Sequence, residues 1–316
     1  AITEEFWQFL LGNMLTGLGI GFYWPAAESL ISDITKKEKL NEAFALTRLG
    51  DYLGLDIGVI AGGLIIGCHG AYRLLFILDA LSYLALFTFI LLGIKETLKK
   101  DNQRKSSVIG DWLLALKDRS LLLYAALNLL FTNNILQLSS SLPLYFSNFI
   151  KLNGHSWMES NKVSIFFSIY IVLISSLVMP LAKLSASKLK TRVLIVACFF
   201  WCLAYILVSL LGENISNASA LALMTVVSFS IANALYAPSA SSLVVEISPP
   251  ESKAKYLSIN SLCWAVSGTI GPAIGLAALD HGSELAVRYW QLLSLVSLLS
   301  VGGLIILEIM IKKRDC

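Results

Sequence analysis

The sequence is poor in charge. Asp, Glu, Lys and Arg make up 14% of its 316 residues, where a soluble domain carries roughly 25%. Hydrophobic residues make up 56% and the mean hydropathy is +0.73. That much buryable surface excludes a disordered chain, and a soluble domain would have to cover itself with apolar groups. A net charge of +3 with no gathered basic face argues against a nucleic-acid binder. Histidine is scarce: His69, His155 and His281 fall in separate loops, too dispersed for a metal site. The five cysteines (Cys68, Cys198, Cys202, Cys263, Cys316) have no metal-ligand spacing, and Cys198 and Cys202 read as small hydrophobes in an apolar run. No GxxxxGK[ST] phosphate loop is present, so no ATPase domain is encoded. No enzyme site and no cofactor are expected. What remains is an all-α polytopic membrane protein, with the lipid bilayer as its principal partner.

A spanning helix needs about 20 mostly apolar residues. Nine stretches qualify: 6–34, 42–67, 71–94, 120–149, 162–185, 191–211, 218–247, 255–279 and 288–311. The runs are continuous, with none of the alternation of membrane strands. The first, fourth and seventh are long and hold Pro25, Pro143 and Pro238, which predicts tilt or kinks. Of the 24 Lys and Arg residues, 20 fall in one set of alternate connections and Arg73, Lys151, Lys162 and Arg288 in the other. The positive-inside rule places the larger set, and with it the C-terminus, in the cytoplasm of an inner or plasma membrane. The chain opens Ala-Ile-Thr-Glu-Glu, with neither Met nor a basic signal region, and the expectation is that something precedes it.

Sliding the sequence on itself by 213 residues reveals an internal repeat. Tyr23-Trp24-Pro25 falls on Tyr236-Ala237-Pro238, Asp33-Ile34-Thr35 on Glu246-Ile247-Ser248, and Gly58 and Gly62 on Gly271 and Gly275. After a one-residue slip, His69-Gly70 meets His281-Gly282, and both read as helix-ending turns. Thr35-x-x-Glu38 and Ser248-x-x-Glu251 read as capping boxes. Spans one to three thus resemble spans seven to nine in the same direction, a parallel repeat of six-helix units. Spans four to six have no counterpart in the chain, so three further spans are expected ahead of residue 1.

Several motifs support a family resemblance. Gly54-x-x-x-Gly58-Val59-x-x-Gly62-Gly63 is similar to the GxxxGPxxGG helix of drug-proton antiporters, with Val59 in the proline position. Ser267-x-x-x-Gly271-Pro272-x-x-Gly275 is its second copy. Asn13-x-x-x-Gly17-x-Gly19-x-Gly21-x-x-x-Pro25 resembles RxxxGxGxG followed by proline, with Asn13 in place of the arginine associated with proton coupling. The run Lys183–Arg192 keeps the positive charge of the family's basic loop, without its Gly and Asp positions. Arg73-x-x-Phe76-x-x-Asp79-Ala80-Leu81-Ser82 and Leu142-Pro143-Leu144-Tyr145 resemble efflux-type helices 6 and 7. The chain is identified on these motifs as resembling a major facilitator superfamily transporter of the multidrug-efflux type, without its first three helices.

The resemblance implies a 6+6 fold. Residues 1–95 would be the second half of the N-terminal bundle, 96–118 a cytoplasmic linker, and 119–316 the C-terminal bundle. It implies a monomer that exports small amphipathic compounds by alternating access, driven by protons. A metabolite facilitator or uptake symporter, and a truncated membrane protein that transports nothing, remain as alternatives. Family helices 4, 7 and 10, here spans one, four and seven, would line the cavity. Asn13, Trp24, Glu28, Asn133, Gln137, Asn233 and Tyr236 are then its candidate lining; for Gln137 and Asn233 the other reading is interhelical glue. Trp24 and Tyr236 could stack on a lipophilic or cationic guest. An antiporter needs an acid that titrates near working pH, and burial favours the neutral carboxyl. Glu28 and Asp56 are the proton candidates, although Glu28 also reads as a carboxylate reaching a nearby Lys or Arg. Asp33 is set aside because it sits at the membrane edge beside Lys36 and Lys37. Arg48 and Asp51, three apart on one helical face, are expected to pair. The glycines would let helices approach closely.

Overall fold

The computed structural model describes residues 5–69, 72–94, 115–152, 155–156, 160–213 and 218–315. The described chain is helical: α1 (Phe6–Ile34), α2 (Leu40–His69), α3 (Tyr72–Gly93), α4 (Arg119–Ser139), α5 (Ser141–Asn148), α6 (Ser160–Ser185), α7 (Lys190–Glu213), α8 (Ala218–Ile247), α9 (Lys253–Asp280) and α10 (Ser283–Asp315). A two-residue hairpin, Lys151–Leu152 against His155–Ser156, lies between α5 and α6 and is the only strand pair among the described residues. Most of the expected linker at 96–118 lies outside the described residues, except that Asp118 caps α4 by accepting from the Ser120 and Leu121 amides.

Each of the nine expected spans falls on a helix, with one correction. The fourth is not continuous. Pro143 has no N–H to give, and its ring opposes the carbonyl of the residue four back, which is Ser139. The helix ends there, Ser140 adopts φ −106° and ψ −74°, and α5 starts afresh. Pro25, Pro180, Pro238 and Pro272 stay inside unbroken helices. Among the described residues seven helices, α3, α4 and α6 to α10, are apolar enough as well as long enough to cross a membrane. The other two, α1 and α2, have 29 and 30 residues, ample length at 1.5 Å per residue. Gln8, Asn13 and four glycines dilute α1, while in α2 the charged residues Glu42, Arg48, Asp51 and Asp56 give way to the apolar run 57–67.

The repeat is written into the backbone. α1 ends at Ile34 and α8 at Ile247; one-turn 3-10 helices follow at Lys37–Lys39 and Pro250–Ser252; α2 starts at Leu40 and α9 at Lys253. All three landmarks are 213 residues apart. The expected capping boxes do not form: neither 3-10 turn has a side-chain cap, and Ser248 Oγ turns back to donate to Val245 O. The 3-10 turns take up the free helix ends instead. Gly282 has φ +102°, which only glycine adopts without strain, and it follows the end of α9 as the His-Gly pattern predicts. Gly70 lies outside the described residues.

The core belongs to α4 through α10. Trp201, Trp290, Tyr124, Tyr145, Tyr205, Phe131 and Phe229 are fully buried there. The first two helices attach to this body, α1 along α9 and α2 along α6 and α8, and α3 meets α2. The apolar stretch of α3 buries nothing. Gly271 and Gly275 lie so close to Asn133, Gln137 and Ser141 that a side chain on either glycine would collide with them. Their repeat mates are open: Gly58, like Gly54 one turn earlier, has nothing within 4 Å of a would-be Cβ, and Gly62 meets only a methyl of Leu75 at 3.8 Å. The surroundings of Gly63 lie outside those described.

Candidate functional site: a cavity between repeat mates

Glu28 stands one turn beyond Pro25 on α1, 3% exposed. Its Oε1 accepts from Arg48 Nη2 at 2.7 Å and from Ser241 Oγ at 2.9 Å. Arg48, on α2, also donates through Nη1 to Asp51 Oδ2 at 3.3 Å, which is the expected local pair. The guanidinium lies 4.8 Å from the centre of the Trp24 ring, a cation–π arrangement. One cation therefore serves two carboxylates and an aromatic face. Glu28 Oε2 is sealed from solvent and has no hydrogen-bond partner among the described residues.

Glu28 and Ser241 are separated by 213 residues, the repeat offset. Residues that are equivalent in a repeat can touch only where the two copies meet, so this bond marks the local axis between them. Arg48 and Ser261 are mates by the same offset, as are Asp51 and Trp264. The two copies thus place Glu, Arg and Asp opposite Ser, Ser and Trp.

A cavity of about 520 Å³ opens beside this contact, between α1 and α9. Trp24 and Glu28 of α1 and Arg48 of α2 line one side, and Asn260, Ser261 and Trp264 of α9 line the other. The volume falls in the range of small-molecule sites, roughly 300–1,000 Å³. At the end where α1 and α8 terminate, the same two groups of helices are tied further. Asn41 Nδ2 donates to Ala182 O at 2.9 Å, and Asp33 pairs with Lys253 at 2.9 Å.

The other candidates lie away from the cavity wall. Asn13 is exposed on α1, its Nδ2 donating to Phe9 O in its own helix. Gln137 Nε2 donates to Asn133 Oδ1 and to Gly271 O, which ties α4 to α9. Asn233 accepts from Trp201 Nε1 at 2.8 Å and donates to Tyr170 OH at 2.7 Å, holding α6, α7 and α8 together. Tyr236 sits one layer behind the cavity: its hydroxyl donates to Asn128 Oδ1 and its ring lies 6.4 Å from that of Trp264. Asp56 is half-buried in α2, with no polar partner among the described residues. Asp79 is exposed on α3.

Residue types alone pointed to Trp24 and Glu28. They did not point to Asn260, Ser261, Trp264 or Ser241. The register does contain a signal: adding 213 to Glu28, Arg48 and Asp51 names Ser241, Ser261 and Trp264.

Continuous apolar helices, a parallel repeat and a cavity on the repeat axis define an integral, multi-pass membrane protein of the transporter class. The Major Facilitator Superfamily model matches residues 1–272 and, overlapping, 158–314. The chain belongs to that family, whose members are transporters. It is 29% identical over 139 residues to the multidrug resistance protein MdtG of Escherichia fergusonii, a match covering 44% of this chain and 33% of that protein. The matched stretch is thus about a third of the relative's length.

Proposed function

We propose that the protein is a secondary transporter of the plasma membrane that exports small amphipathic compounds by alternating access, in exchange for protons, with its C-terminus in the cytoplasm. Residues 119–316 supply a six-helix bundle and residues 1–95 three helices of the opposing one, and the substrate occupies the cavity between them. One observation carries the reading. The cavity sits at a contact between repeat mates, where rocking of the two copies would open it to alternate sides. The likeness to a multidrug resistance protein supports export and a drug-like substrate.

Glu28 is the proton carrier in this reading. Its Oε2 is sealed and unpartnered among the described residues, a place that a proton can reach and a larger ion cannot without moving the helices. Protonation would weaken the grip of Oε1 on Arg48 and Ser241, which loosens the contact between the copies. Proteoliposomes holding the protein should export a neutral fluorescent amphipath such as Nile red faster when a pH gradient is imposed. Glu28→Gln should keep binding and lose the gradient dependence. Gradient-driven transport that survives in Glu28→Gln and in Asp56→Asn alike would make the protein a facilitator or place the coupling acid elsewhere. The facilitator reading has one observation in its favour, Asn13 where the antiporter pattern has arginine.

A further inference from the structure

The polar groups of the cavity fall into two classes. The charged ones are engaged with each other: Arg48 holds Glu28 and Asp51 and lies on Trp24. The neutral ones on α9 are available. Asn260 is 4% exposed, and its Oδ1 accepts twice, from Tyr124 OH at 2.8 Å and from Asn128 Nδ2 at 2.9 Å, both on α4. Those two bonds turn the amide nitrogen of Asn260 away from α4. Asn260 Nδ2 donates to no group among the described residues, and neither does the adjacent Ser261 hydroxyl, while both residues line the cavity. The amide nitrogen is open to the cavity, where an acceptor on a ligand would take its N–H in place of water. Tyr124 and Asn128 fix its direction in advance, so binding need not order it.

We propose that this cavity recognises an uncharged aromatic amphipath through a carbonyl-type acceptor, with Asn260 Nδ2 as the specificity-determining donor, Ser261 as its neighbour, and Trp24 and Trp264 flanking the apolar body. An ammonium ligand would have to displace Arg48 from Glu28, and a carboxylate ligand would enter beside two carboxylates that share one cation. The assignment rests on the transporter reading for its biological meaning, but it is tested by binding alone.

The test is calorimetric titration of the full-length protein in lipid nanodiscs, with heats into empty nanodiscs subtracted to remove partitioning. Four matched probes separate the contributions: benzophenone, diphenylmethane (no acceptor), 4-(aminomethyl)benzophenone (a cation) and 4-benzoylbenzoate (an anion). Benzophenone should bind about five-fold more tightly than diphenylmethane, the worth of one neutral hydrogen bond. It should also bind more tightly than either charged probe. Asn260→Leu should bring the benzophenone-to-diphenylmethane ratio to about one while diphenylmethane affinity holds. If that variant does not fold, Tyr124→Phe, which removes one of the two bonds aiming the amide, should lower the same ratio. A wild-type ratio near one, an unchanged ratio in the folded variants, or a preference for the ammonium probe would each overturn the proposal. Binding as described without transport of any compound would leave it standing and sink the transporter reading, so the two failures are distinguishable.

Discussion

The first three helices and the last three share a backbone plan and differ in what they do with it. Helix ends, 3-10 turns and helix starts coincide after a shift of 213 residues. The α1–α3 copy carries Glu28, Arg48 and Asp51 where the α8–α10 copy carries Ser241, Ser261 and Trp264. Gly271 and Gly275 of α9 are pressed against α4 and α5, while Gly54 and Gly58 of α2 face open space. Main-chain hydrogen bonding and turn chemistry fix the plan, and they tolerate nearly any side chain on an interior helical face. Side chains were free to specialise. One copy came to hold the charge, and the other came to offer neutral donors.

The most damaging way to break this asymmetry is to remove its cation. Arg48→Met keeps the apolar stem and deletes the charge that serves both Glu28 and Asp51. Removing one partner of a buried pair typically costs about 3–5 kcal/mol, because the other charge stays buried without compensation. Ser241→Ala, at the position of Glu28's mate, removes one hydrogen bond to Glu28 without adding bulk at this buried site and should cost less than half as much. Unfolding by sodium dodecyl sulfate in mixed micelles measures both. A loss below about 1 kcal/mol in Arg48→Met would mean that the triad is not a stabilising unit.

The glycine motifs give the next largest effect, and it should change sign between copies. A methyl group at Gly275 meets Ser141 and Gln137, and overpacking of this kind costs about 1–3 kcal/mol. A methyl group at Gly58 meets nothing, so only the helix propensity gain of up to about 1 kcal/mol remains. Gly275→Ala should therefore destabilise the protein and Gly58→Ala should leave it unchanged or stabilise it. Equal losses at both positions would show that the α2 face is covered in the membrane.

The fold was legible because its signals are one-dimensional. Apolar runs gave the spans, and the repeat gave the register at which helices end. The break in the fourth span coincides with Pro143, whose ring opposes the Ser139 carbonyl, but Pro25 and Pro238 stay inside unbroken helices, so proline alone does not decide the matter. The site was only half legible. Spacing shows that Asn133 and Gln137 share a helical face, but not whether that face meets a cavity or a neighbour. The structure turns it toward the glycines of α9, where the close approach leaves the two amides to bridge helices. Asn260 had no signal of its own, since its role comes from Tyr124 and Asn128, more than 130 residues earlier.

The smallest effect concerns the tie between the copies at the end where α1 and α8 terminate. Asp33 and Lys253 pair at 2.9 Å, with side chains 33% and 24% exposed. Water screens a pair this open, and such pairs are worth about 0.2–1 kcal/mol. Asp33 is the repeat mate of Glu246, and Glu246 in turn lies within electrostatic reach of Lys37 and Lys190. Each copy thus presents a carboxylate at its helix end to a lysine of the other part of the chain. A double-mutant cycle of Asp33→Asn and Lys253→Met should give a coupling within that range in unfolding measurements. The coupling should shrink as salt is raised, because the Debye length falls from about 10 Å at 0.1 M to about 3 Å at 1 M. In a transporter the same small coupling has a larger consequence, since it acts on the balance between two arrangements and not on the folded state as a whole. A tie worth about 1 kcal/mol shifts such an equilibrium about five-fold. The double variant should then open this end of the cavity more often, seen as faster labelling of a cysteine introduced at Ser242 in a background free of native cysteines. A labelling rate that does not move would confine the pair to the surface and leave the closure to Glu28, Ser241 and Asn41.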